Sequence, residues 1–281
     1  MTPLVVLVSD SHFSTRTPEA ERNWVAVVRH VADVGPDLVV HVGDVSVDGA
    51  RRPEELGAGP AAARPPRRTL GGRAGKPRHR RQSQRRDGDR RGRDERRLAH
   101  WRDAVGSDRW VVDLGAWRLV GINAQLFASG GPDEDDQWSF IEQVLGDPQR
   151  TRARHPQTAH RGGSGTGGRA AVPLHPGDGV RPLTRLCHDG GVEVVVSGHV
   201  HQRRRVEAAA MTHLWATTTW AVLPDWLQAP VGAKRCGILE IGLAAVGHLE
   251  FACVEPEGMA QLTLGEDIPS PYEPVAGPAV T

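Results

Sequence analysis

Val192-Glu-Val-Val-Val-Ser-Gly-His-Val-His201 is the stretch on which the reading of the fold turns. The run from Val192 to Val196 is too short for a helix and too rich in β-branched residues for a loop, so it reads as a buried strand. Ser197-Gly198 ends the run, and two histidines follow in the turn. The chain opens with the same pattern. Leu4-Val-Val-Leu-Val8 reads as a strand and leads into Ser9-Asp10-Ser11-His12, and Leu38 to Val42 reads as another that leads into Gly43-Asp44. Between these two, Ala20 to Val34 places Trp24, Val27, Val28 and Val31 at helical spacing, and Gly35-Pro36 stops the helix. A strand, a crossover helix and a second strand predict a parallel pair, and in parallel sheets reactive groups collect at the carboxyl ends of strands.

The residues that close these strands are of metal-binding types. Asp-x-His sets a carboxylate and an imidazole two residues apart, and just beyond a strand both can turn toward one point. Asp44 adds a carboxylate able to bridge two ions, and Gly198-His-Val-His201 adds two imidazoles. Oxygen and nitrogen donors in this mixture suit manganese, iron or zinc. Singly, each motif has an ordinary alternative: a turn-capping Asp, a loop Asp, a pair of exposed loop histidines. Their joint occurrence, each behind a valine-rich strand, selects Asp10, His12, Asp44, His199 and His201 as candidate metal ligands.

Asp-x-His, Gly-Asp and Gly-His-x-His, in this order and at these approximate separations, resemble three of the five signature blocks of the calcineurin-like metallophosphoesterases. The resemblance spans Leu4 to about Val254. It implies an α/β fold, a four-layer αββα sandwich of two mixed sheets with the metals at strand carboxyl ends. It also implies that Asp10, His12 and His201 hold one divalent ion, that Asp44 bridges, and that His199 serves a second ion. The helix around Gln137 and Trp138 is similar to a segment of the small bacterial cyclic-nucleotide phosphodiesterases. The implied substrates are small phosphoesters, cyclic nucleotides among them, attacked by a water that two metals activate.

Two family blocks are absent. No Asn-His pair occurs in the chain, and His79 is the nearest histidine to its expected place. No histidine behind an apolar run stands between the Gln137 helix and Val192, where His155, His160 and His175 lie. Both gaps fall in impoverished stretches, 59–97 and 147–180, rich in Arg, Pro and Gly and poor in apolar residues. These read as disordered, or as compensated frameshifts in a gene of high GC content. With the second metal site short of ligands, the expectation is an impaired phosphoesterase. The alternatives are an inactive metal-binding remnant, or a nucleic-acid-binding protein acting through the Arg-rich segment 64–97. That segment has no aromatic residue to stack on a base, which weighs against nucleic acid as a partner.

Elsewhere, Trp110 to Leu114 and Arg118 to Asn123 read as a hairpin turned at Gly115-Ala116, and Gln137 to Leu145 as a helix. Leu183 to Cys187 suits a helix end. Met211 to Thr219, Gly237 to Leu243 and His248 to Val254 read as strands of a second sheet, and the Pro- and Gly-rich residues 255–281 as a mobile tail. Three cysteines without a Cys-x-x-Cys pair indicate neither a disulfide framework nor a thiolate cage. The apolar start runs straight into Asp10 without a cleavage site, and no run is long enough to cross a membrane. A cytoplasmic protein that binds no membrane is the expectation.

Overall fold

In β1 (Leu4–Val8) successive side chains point to opposite faces of a sheet, and both faces are covered. Val6 and Val8 pack against α1 (Pro18–Val34), while Val5 and Leu7 point into the space between two sheets. In a computed structural model of the chain, residues 2–49, 51–52, 54–57, 69–71, 87–146, 155–158, 180–244 and 249–272 are described. For 57, 69–71, 87–94, 155–158 and 180–182 only the backbone is described. The elements that follow are β2 (Leu38–His41), α2 (Glu54–Gly57), β3 (Thr69–Gly71), α3 (Asp87–Ala104), β4 (Trp110–Leu114), β5 (Trp117–Gly121), α4 (Pro132–Leu145) and β6 (His155–Thr158). Then come α5 (Val180–Asp189), β7 (Val192–Ser197), β8 (Arg204–Ala208), β9 (Met211–Trp215), β10 (Ile238–Leu243) and β11 (Leu249–Val254).

The strands form two mixed sheets, ordered β11-β10-β1-β2-β3 and β4-β5-β6-β7-β9-β8. β1 and β2 run parallel, as the crossover helix requires, with Val5 opposite Leu38 and Val8 opposite His41. The inner faces meet through Leu7, Val40, Leu119, Val194, Val196 and Ile241, all buried. Outside the first sheet, α1 contributes Trp24, Val27 and Val31. Outside the second, α4 and α5 contribute Ile141, Leu145 and Cys187 against Val120, Val192 and Met211. The order helix, sheet, sheet, helix is the four-layer αββα sandwich.

Several expectations need correction. Ile238–Leu243 and Leu249–Val254 join the first sheet, where β10 lies antiparallel to β1, and only β9 belongs with β7. Periodicity identifies a strand but not its neighbour. From Glu255 to Tyr272 the chain is packed, because Met259, Leu264 and Ile268 insert beside α1 in the core; residues 273–281 lie outside the described residues. Within the two impoverished stretches, β3 pairs with β2, β6 lies between β5 and β7, and α3 begins at Asp87. Strand pairing there is made backbone to backbone, which side-chain composition does not report. The rest of both stretches, with His79, His160 and His175, lies outside the described residues. α4 starts at Pro132, ahead of Gln137, because Pro at its first turn followed by Asp133, Glu134 and Asp135 suits a helix N-terminus. No helix among the described residues is long and apolar enough to cross a membrane.

Candidate metal centre

Past their last residues, β1 and β2 continue side by side. Asp10 N donates to Gly43 O (3.0 Å), His12 N to Asp44 O (3.1 Å) and Phe13 N to Val45 O (2.8 Å). This ladder brings the Asp-x-His and Gly-Asp motifs together. The turn after β7 arrives from the second sheet, and His199 N donates to both oxygens of Asp10, at 3.0 and 2.8 Å. Gly198 makes that approach possible. A Cβ there would overlap the Ser9 hydroxyl and come within 2.8 Å of Asp10 Oδ2.

All five sequence-selected residues therefore meet, and all five share an uncommon backbone. Asp10, His12, Asp44, His199 and His201 have φ of 51°, 47°, 49°, 75° and 54°. The left-handed region is sparsely used by residues other than glycine, although Asn, Asp and His enter it more readily, and each such residue costs of order 1–3 kcal/mol. Only three other non-glycine residues among those described have positive φ. The strain is concentrated where five short polar side chains must be turned inward from three strand ends.

Two groups result, Asp10 with His12 and His201, and Asp10 with Asp44 and His199, the ligand atoms of each lying within 4.8 Å of one another. Asp10 is common to both groups, and Asp44 Oδ2 accepts from His199 Nδ1 at 2.9 Å. Asp10, His12, Asp44 and His201 are buried and His199 is partly so. His12 Nε2 and His201 Nε2 are 3.1 Å apart, and Asp10 Oδ1 lies 3.4 Å from the latter. Two imidazole nitrogens at about 2.1 Å from one ion would be roughly 3.0–3.4 Å apart in octahedral to tetrahedral geometry. The donor set and its spacing thus fit a divalent transition-metal ion.

Neighbouring groups orient these side chains. His201 Nδ1 donates to Ala221 O at 2.5 Å, which directs Nε2 toward Asp10. Ser9 Oγ donates to Asp10 Oδ2, and Thr218 Oγ1 to Asp10 O at 2.8 Å. His41, at the end of β2, is a further component that the sequence reading did not single out. Gly43 N donates to its Nδ1 at 3.3 Å, so the ring proton sits on Nε2 and is given to Ser11 Oγ at 2.8 Å, which in turn donates to Val45 O at 3.2 Å. Burial pushes this imidazole down to about 4, against a smaller upward pull from the Asp44 carboxylate. Its sequence signal was a lone histidine inside a valine strand. Gln202, fully buried, was also missed; its Oε1 accepts from Val231 N (2.7 Å) and Gly232 N (2.8 Å) and its Nε2 donates to Gln228 Oε1 (2.6 Å) and Ala229 O (3.1 Å). Tyr272, the one tyrosine of the chain, reaches His12 Nδ1 at 3.1 Å. His155 is the first residue of β6, at the strand end remote from the position a ligand behind that strand would take.

No protein-family model and no curated protein sequence matches the chain. Solved structures do. The chain is similar to the purple acid phosphatase isolated from yellow lupin (Lupinus luteus) seeds, at 16% identity and TM-score 0.52, over 90% of this chain and 52% of that one. It spans about half the length of that phosphatase. It is similar to a dimetal phosphatase from Danio rerio at 12% identity and TM-score 0.52, over 90% of this chain and 96% of that one. It is also similar to GAP50, the anchor in the inner membrane complex of Plasmodium, at 11% identity and TM-score 0.61, over 92% and 86%. The fold is that of the calcineurin-like metallophosphoesterases.

Proposed function

We propose that this chain is a metal-dependent phosphoesterase whose centre holds one divalent ion well and a second one weakly. The observation that carries this reading is the pair of three-residue groups joined at Asp10, built on five left-handed residues. Asp10, His12 and His201 would hold the first ion, and Asp44 and His199 the second, with a carboxylate between them. Manganese, iron or zinc suits these donors. Bound there, two ions polarise a phosphoryl oxygen and lower the pKa of a water for in-line attack on phosphorus.

The chain's own residues prepare the site in three ways. Asp10 is held by the His199 N–H and the Ser9 hydroxyl, so its carboxylate is aimed before a ligand arrives. His201 is kept in the tautomer that presents Nε2 by the Ala221 carbonyl. Asp44 takes the Nδ1 proton side of His199, which orients both donors of the weaker site.

The chemistry expected is hydrolysis of phosphodiesters or phosphomonoesters, small cyclic nucleotides included, in one cytoplasmic metallophosphoesterase domain. Turnover is expected to be slow, since the sequence has no Asn-His pair to complete the second ion's ligands. A fold by itself does not assign catalysis, so the test uses both binding and rate. Equilibrium dialysis against manganese should give one tight ion per chain and a second at least tenfold weaker. Bis(p-nitrophenyl) phosphate should be hydrolysed slowly with manganese and not at all by Asp10→Asn. Full metal uptake with no hydrolysis of any phosphoester would identify a binding remnant instead.

A further inference from the structure

The segment that follows β11 ends on the metal centre. Asn23 of α1 fastens it, accepting from Ala260 N at 2.8 Å and donating to Ala260 O at 3.0 Å. Val222 and Thr263 form a bridge, and Leu264 and Ile268 are buried against the first sheet's outer layer. Arg16 then donates Nη1 to Pro271 O at 2.7 Å. The next residue is Tyr272, whose ring stands edge-on to His12 (6.4 Å, 90°) and to Trp220 (6.5 Å, 74°). Its hydroxyl lies 3.1 Å from His12 Nδ1, a contact between residues 260 positions apart.

With both rings neutral, the contacts among these residues set where the protons lie. His201 Nδ1 faces the Ala221 carbonyl, which only accepts, so the neutral His201 ring keeps its proton on Nδ1 and its Nε2 accepts. His12 Nε2, 3.1 Å away, is then the donor. The neutral His12 ring has one proton to give, so its Nδ1 accepts from the Tyr272 hydroxyl. Ligation of an ion by Nε2 of both rings requires the other His12 tautomer, with the proton on Nδ1 and given to the Tyr272 oxygen. A hydroxyl can do either by rotating its own hydrogen.

We propose that Tyr272 is a positioning residue for His12, a hydroxyl that changes from donor to acceptor so that His12 can exchange tautomers as an ion enters. The proposal rests on the metal-centre reading above. It makes the C-terminal segment part of the support of the Asp-x-His motif. Loss of such an outer partner typically lowers metal affinity by about 10–100-fold.

Tyr272→Phe keeps the ring against Trp220 and His12 and removes the hydroxyl alone. Zinc titration of the EDTA-treated full chain should show the tighter site weakened about tenfold or more, while the metal-free protein loses no more stability than one hydrogen bond contributes. An affinity within twofold of wild type overturns the proposal. Long-range 1H–15N spectra of histidine-labelled wild type supply a second measurement that needs no variant. The His12 proton should be on Nε2 in the metal-free protein and on Nδ1 with zinc, and the same tautomer in both states overturns the switch. If wild type takes up no zinc, the metal-centre reading fails by itself. The metal-free spectra then decide the contact: a His12 Nδ1 resonance moved by Tyr272→Phe upholds it, and one left in place overturns it.

Discussion

His12 Nε2 and His201 Nε2 lie 3.1 Å apart although 189 positions separate them in the chain. An ion placed between the two nitrogens and Asp10 would hold all three. Manganese or zinc should therefore raise the melting temperature of the EDTA-treated protein. At a free concentration one hundred times the dissociation constant the gain is about 2.7 kcal/mol. His201→Ala should abolish the gain and Asp44→Asn should reduce it less. Equal effects of the two substitutions in differential scanning fluorimetry would contradict the assignment of ions to residues.

Gly198 is the point at which the two sheets' strand ends touch. An added methyl would overlap the Ser9 hydroxyl and crowd Asp10 Oδ2. Ser9 and Asp10 are wholly buried, so neither side chain has room to turn away. Gly198→Ala should cost about 1–3 kcal/mol in urea unfolding and weaken metal binding as well. Wild-type stability combined with wild-type affinity would show that this approach is not needed.

His41 gives the metal-free protein a pH dependence of known sign. Its ordinary value is 6.5 and burial lowers it to about 4, so between these values the unfolded chain binds a proton that the folded chain does not. Stability is then fully present above 6.5 and is lost as pH falls toward 4, by an amount on the order of 3 kcal/mol. Unfolding free energies at pH 7.5 and pH 5 should differ less in His41→Gln than in wild type. An identical pH slope in the variant would remove His41 as the cause.

Gln202 joins the histidine turn to residues 228–232 through four hydrogen bonds, two of them from the backbone N–H groups of Val231 and Gly232. Gln202→Ala deprives these groups of their acceptor and should cost about 1–3 kcal/mol. It should also open the 224–232 loop to proteolysis at Trp226 and Leu227, already exposed in the folded chain. Cleavage at an unaltered rate would argue against this bracing.

Much of the fold was legible where burial is complete. β1 and β2 are valine-rich because both faces are covered, β7 because Val192, Val194 and Val196 are buried, and α1 shows its period because one stripe meets a sheet. The candidate ligands were legible because they follow those strands directly. β8 was not, since as an edge strand of Arg and Glu it has no apolar face to display. β3 and β6 were hidden because their order comes from neighbouring backbones. The partners of β10 and β11 were hidden because a period of two says nothing about which strand lies alongside. Tyr272 escaped notice in a Pro-rich segment, although Met259, Leu264 and Ile268 carried the signal that this segment is packed.

The antiparallel pairing of β1 with β10 also dictates an order of events during synthesis. Leu4 through Leu7 leave the ribosome well before their partners, Gly242 through Leu239. Until then one side of β1 is an open strand edge, a surface prone to wrong pairing. Asp10 and His12 stand at the end of that strand, and His199 and His201 are themselves translated late. All five candidate ligands are made before β10, so a ribosome stalled short of β10 would hold them on a sheet whose first strand still has an open edge.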